Sequence, residues 1–114
     1  PLPRFFDAMA VMLNGPDADG IEMTINLNFT DIQESYSLYI ENAVLHHRVG
    51  LTQENVSATL HLSHELFLKM LTGQAGFKDT IMGDDLEIEG SRIDLLRFFS
   101  LIDPATESFN IVTP

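Results

Sequence analysis

The sequence has no cysteine and no tryptophan, two tyrosines, and six lysine or arginine residues among 114. The missing cysteines exclude disulfides, thiolate metal sites and cysteine nucleophiles, and leave no clue to the redox compartment. The scarcity of basic residues matters because 17 Asp and Glu set a formal net charge of -11. A field of that sign repels phosphate backbones and anionic headgroups, so nucleic acid is not an expected partner. An anionic amphiphile would have to enter by its tail. Apolar runs fall far short of the roughly 20 residues needed to cross a bilayer, so no transmembrane segment is expected. The chain opens on Pro1 with no basic region followed by an apolar one, which predicts no signal peptide and is compatible with a piece cut from a longer protein.

What is present is an apolar content of 45% against 20% charged residues, the balance of a soluble globular chain. The length suits one domain with one core, residues 1–114. Phe5, Phe6, Met9, Met12 and Leu13 recur at helical spacing, and Asn14, Gly15 and Pro16 stop that helix. Residues 16–20 read as a turn. Ile21, Met23, Ile25, Leu27 and Phe29 then alternate with polar residues, the mark of a strand with one buried face.

Tyr36, Leu38 and Ile40 predict a second strand, 43–49 a third ending at Gly50, and 57–62 a fourth with Ala58, Leu60 and Leu62 on one side. Short polar links between them predict an antiparallel meander. Ser63 is a candidate N-cap for a helix carrying Leu66, Phe67, Met70 and Leu71 and closed by Gly73. A shorter helix is expected over 75–82 and a fifth strand over 86–89, with Leu86 and Ile88 inward. Ser91 and Asp94 resemble a capping box ahead of Ile93, Leu95, Leu96, Phe98, Phe99 and Ile102, and Pro104 ends that helix. The expected fold class is α+β, a largely antiparallel five-stranded sheet covered on one face by helices.

Four histidines are the first candidates for chemistry. His46 and His47 are neighbours on a strand and must point to opposite faces, so they cannot share a metal without distortion. His61 and His64 lack any spacing associated with zinc. Asp84 and Asp85, with Glu87 and Glu89, do not supply the run of oxygen ligands that a calcium loop needs. Ser63 and Ser91 are explained as helix caps, and neither lies in a nucleophile elbow. No catalytic residue, metal site or cofactor is indicated.

Eight Phe and five Met remain, concentrated on helical faces. Phe67, Met70, Leu71, Phe77, Ile81, Met82, Phe98 and Phe99 form a layer richer than the sheet requires, and are the candidate lining of an apolar ligand site. Such side chains can equally close a solid core.

The strings FFDAMAVMLNGP, INLNFTD, YIENAVLHHRVG, LFLKMLTGQAGF, LEIEGSRIDLLRFFSLID and FNIVTP, in that order, resemble the C-terminal domain of metallo-β-lactamase-fold alkyl sulfatases over the whole chain. The resemblance implies a fold like sterol carrier protein 2 (SCP2), enclosing an apolar cleft or tunnel that recruits or orients a long alkyl chain. It implies a bacterial origin and a partner catalytic domain with a zinc-binding HxHxDH motif, which this chain lacks. It also brings a homodimer into consideration. Two alternatives stay open: a cavity-free assembly domain and a free-standing lipid carrier.

Overall fold

The computed structural model describes residues 2–83 and 86–102. Pro104, the pair Asp84 and Asp85, and the terminal Phe109 to Pro114 lie outside the described residues. Helix α1 (Leu2–Met12) is followed by a single helical turn, α2 (Gly15–Ala18), where the sequence reads as a plain turn. The reason is local: the Asn14 side chain accepts from Asp17 N at 3.2 Å, Pro16 supplies a helical φ in the first turn, and Ala18 is buried.

Strands β1 (Met23–Phe29), β2 (Glu34–Glu41) and β3 (Val44–Val49) form the expected antiparallel run. The third strand starts one residue later than the pattern predicts, because Asn42 and Ala43 both take positive φ, 54° and 60°. Two central residues of that kind make the mirror-image turn that matches strand twist in a two-residue hairpin.

Strand β4 (Val56–Leu62) corrects the meander. It does not pair with β3 but crosses to the far side of β1, which it joins in parallel, Ile25 opposite Ala58 and Leu27 opposite Leu60. Strand β5 (Glu87–Gly90) pairs antiparallel with β4, giving the order β3-β2-β1-β4-β5, mixed but with three of four pairings antiparallel. The physical cause is visible in side chains. Met23, Ile25, Leu27 and Phe29 are all buried, so β1 is the strand that gains most from the centre, whereas β3 buries only Leu45 and serves as an edge.

Helices α3 (His64–Leu71), α4 (Phe77–Met82) and α5 (Arg92–Ile102) complete the apolar face with α1. Ser63 Oγ accepts from Leu66 N at 3.1 Å and Ser91 Oγ from Asp94 N at 3.1 Å, so both serines cap as expected. The second arm of the capping box is replaced: Ser91 N donates to Ser57 O at 3.0 Å, tying the start of α5 to β4. Gly73 ends α3 at φ +82°, the left-handed conformation of a helix stop. Helix α4 is shorter than its sequence pattern, since Ala75 and Gly76 precede it.

Candidate functional site

The predicted apolar layer divides into two groups. Phe67, on α3, packs edge-on against Phe29 (ring centroids 5.2 Å apart) and Phe6 (6.1 Å), and Phe6 lies 4.9 Å from Tyr36. Phe77, on α4, faces Phe99 at 6.3 Å, and Phe99 meets Phe98 on the same helix at 5.7 Å. No ring pair joins the two groups among the described residues. Phe6, Phe29 and Tyr36 belong to the first group, although their spacing in the sequence places them only on the apolar faces of separate elements. Their chain separation from Phe67 hides them from any periodicity.

Phe67, Met70, Phe77, Ile81, Phe98 and Phe99 are buried and Leu71 is half-buried against the core. Met82 is the exception: it is 62% exposed at the end of α4. Ile93, at the start of α5, is 70% exposed. The two flank a polar fastening, in which the Arg92 guanidinium donates to the carbonyl oxygens of Ile81 and Gly83 at the frayed end of α4. The seam between α4 and α5 therefore runs from buried Phe77, Phe98 and Phe99 outward to two exposed apolar side chains. Nothing in the spacing of Ile93 marks it, since it sits beside the apolar stripe of α5 and not within it.

The histidines are each engaged separately. His46 stacks on Tyr39 at 4.8 Å on the outer sheet face, while His47 lies 5.2 Å from Phe6 on the helix side. Asn28 Nδ2 donates to His61 Nδ1 (2.9 Å), which leaves Nε2 to donate to Glu89 (2.6 Å). Ser35 Oγ donates to Asn28 Oδ1 at 3.0 Å, so one polar chain links β2, β1, β4 and β5. His64 donates from its backbone N (3.0 Å) and its Nδ1 (2.5 Å) to Asp31. Burial works to raise the Asp31 pKa, but those donations outweigh it and hold the carboxyl below its ordinary value. Tyr36 donates to Glu34 at 2.6 Å, and that bond, with burial, pushes its phenol up to about 12. Among the described residues no three His, Asp or Glu side chains converge as metal ligands, and no helix is long and apolar enough to cross a membrane.

Residues 1–114 match the family model described as alkyl sulfatase C-terminal. The chain is 38% identical over 113 residues to a linear primary-alkylsulfatase of Pseudomonas sp., and 31% identical over 110 residues to the alkyl/aryl-sulfatase BDS1 of Saccharomyces cerevisiae. These alignments take in 99% and 96% of this chain but 17% of each relative, so the chain spans about a sixth of their length. Among solved structures, the inverting sec-alkylsulfatase Pisa1 of Pseudomonas sp. superposes at TM-score 0.78 with 28% identity, over 87% of this chain and 16% of that one. The ubiquinone synthesis protein UbiJ-SCP2 superposes at TM-score 0.70 with 14% identity, over 90% of this chain and 93% of that one, a likeness of fold alone. The architecture is SCP2-like, and with the family model matching from end to end, the chain belongs to the alkyl sulfatase C-terminal family.

Proposed function

We propose that the domain receives the alkyl chain of a long-chain amphiphile and presents it to a larger alkylsulfatase, without ester chemistry of its own. The observation that carries this reading is the α4/α5 seam. Its outer end exposes Met82 and Ile93, and its inner end is lined by Phe77, Ile81, Phe98 and Phe99. Helix α4 is six residues long, lies between Gly76 and Gly83, and has no side-chain cap at its start. It is the element of the helical layer with least to lose by moving aside for a tail. Phe67, Met70 and Leu71 on α3 would back the deeper part of the site.

With a net charge of -11 on the chain, an anionic head is kept in solvent and the tail provides the affinity. Each methylene buried contributes about 0.8 kcal/mol before the cost of immobilising it. A dodecyl sulfate or dodecyl alcohol therefore binds more than tenfold tighter than its hexyl counterpart, measured by calorimetry below micelle formation. Equal affinity for the two would overturn the proposal. The alternative, a packing role against the rest of the parent chain, is favoured by exposed Val44, Val49 and Leu51 around the β3 edge, and would be left in front by that result.

A further inference from the structure

Among the described residues the sheet has two edges, and they are made differently. Strand β5 closes one edge with four residues, and its Glu87 and Glu89 are exposed carboxylates of the kind that keep other strands away. Strand β3 closes the other edge with six residues and carries no carboxylate, in a chain that has 17. It contains no proline, and no bulge interrupts its register with β2. The usual guards of an edge are missing from β3.

The ladder shows which backbone groups of β3 are free. Gly50 N donates to Ser35 O at 2.8 Å, one step beyond the Tyr36 and Val49 pair, so that pair is a non-hydrogen-bonded one. Counting back along the alternation, Val44, His46 and Arg48 turn their N–H and C=O groups toward β2, while Leu45, His47 and Val49 turn theirs outward. Among the described residues no turn, loop or side-chain bond engages these outward groups. The side chains of the same three residues lie on the helix side, where Leu45 is buried and His47 meets Phe6 of α1. A strand laid along this edge therefore brings alternate side chains to the face that α1 covers.

Exposed apolar side chains gather at the same margin. Of seven large ones among the described residues, five belong to β3, the residue that follows its closing glycine, and the helix that packs on it: Val44, Val49, Leu51, Phe5 and Val11. Charge argues against a second copy as their cover. In a two-fold pairing of β3 about His47, His46 would stand opposite Arg48 and His47 opposite itself, between two bodies of net charge -11 each. The relatives, by contrast, hold about five-sixths of their length outside the part that this chain matches. We infer that an extended apolar segment from that larger part of an alkylsulfatase adds as a further strand to β3, bonded to Leu45, His47 and Val49 and packed on the Val49 side chain and α1. The edge lies across the sheet from β4, which α5 covers, and the inference does not depend on tail binding.

The test compares the isolated chain with a chimera, the linear primary-alkylsulfatase of Pseudomonas sp. whose matching portion is exchanged for residues 1–114, by hydrogen exchange read in a mass spectrometer. In the chimera the amides of Leu45, His47 and Val49 exchange about tenfold or more slowly than in the isolated chain. Val49 is 85% exposed, so Val49→Lys leaves the isolated fold intact, yet in the chimera it returns those amides to the isolated rate, and Val49→Ile does not. Ile93→Lys, exposed at the start of α5, leaves them slow and serves as the control. If the chimera does not fold, the unmodified Pseudomonas relative takes its place, and its aligned segment shows the same slow amides. Equal exchange in the intact protein and the isolated chain, equal loss in the Ile93 variant, or slow β3 amides in the isolated chain that depend on its concentration, the mark of a second copy, would each overturn the assignment.

Discussion

Replacing Asn26 by alanine tests the idea that one amide on the central strand dictates the path of the β3 to β4 connection. Asn26 is 3% exposed and makes three hydrogen bonds, two of them to the backbone of Thr52 in that connection. A hydrogen bond contributes about 1 kcal/mol net, and Thr52 is only half-buried, so water can partly satisfy the groups left behind. The expected loss is about 2–3 kcal/mol, or roughly 8–12 °C in Tm for a domain of this size. Urea unfolding followed by circular dichroism reads this as a lower midpoint at unchanged slope. Native-state exchange of the Thr52 amide collapses to that of an open loop. In Asn26→Asp the acceptor survives, but the carboxylate meets the Thr52 carbonyl where an amide donated, so the loss exceeds that of alanine at pH 7. It recovers in part below about pH 4, where a protonated acid can donate. A loss under about 0.5 kcal/mol, or a Thr52 amide still protected in the alanine variant, would refute the reasoning.

Four other substitutions separate roles that the fold assigns. Phe67→Ala and Phe98→Ala each remove a fully buried ring and each lower stability by about 3–5 kcal/mol in denaturant titrations, and both weaken dodecyl binding beyond their effect on the folded fraction, Phe98→Ala, in the α4/α5 seam, more than Phe67→Ala, which backs the deeper end. Gly90→Ala places a Cβ 2.5 Å from the Ser57 carbonyl oxygen at φ +95°, and neither backbone can yield. It should cost more than about 2 kcal/mol and loosen β5 first, which amide exchange of the β4 and β5 ladder detects. The Asp31 pKa is depressed in the folded chain, so its contribution is complete above the ordinary carboxylate value of about 4 and fades as pH falls through the lower folded value. Urea midpoints of the wild type and Asp31→Asn, measured between pH 7 and pH 3, converge at the acid end; parallel curves would contradict the assignment.

Much of this architecture is readable from the residues. The strict alternation of Met23 to Phe29 places β1 with one buried face, and Ser63 and Ser91 announce α3 and α5 because a cap is a local event settled within four residues. The parallel pairing of β4 is not local. Its apolar stripe, Ala58, Leu60 and Leu62, would suit an antiparallel neighbour equally well, and only competition for the central position decides. Asn26 reads as an ordinary solvent-side residue of an alternating strand, and it is the connection between β3 and β4, bonded to it through Thr52, that covers it. The proposed lining residues are legible only as a composition of helical faces, which cannot separate the Phe67 group from the Phe98 group, since that division depends on which neighbours each helix packs against.

The parallel contact between β1 and β4 also sets a timetable. Strands β1, β2 and β3 are joined by tight turns and can pair within microseconds of one another, each contact closing a loop of a few residues. The register that joins Ile25 to Ala58 spans 33 residues, so it must wait until the chain has doubled back across its own sheet. During that interval the hydrogen-bonding edge of β1, the greasiest strand of the protein, is open to any extended segment that arrives before β4. During synthesis, the same edge stays open until the ribosome has released residue 62. The domain's vulnerability to mispairing is therefore concentrated at one strand edge and one interval, and a faster crossover would protect it more than a tighter core.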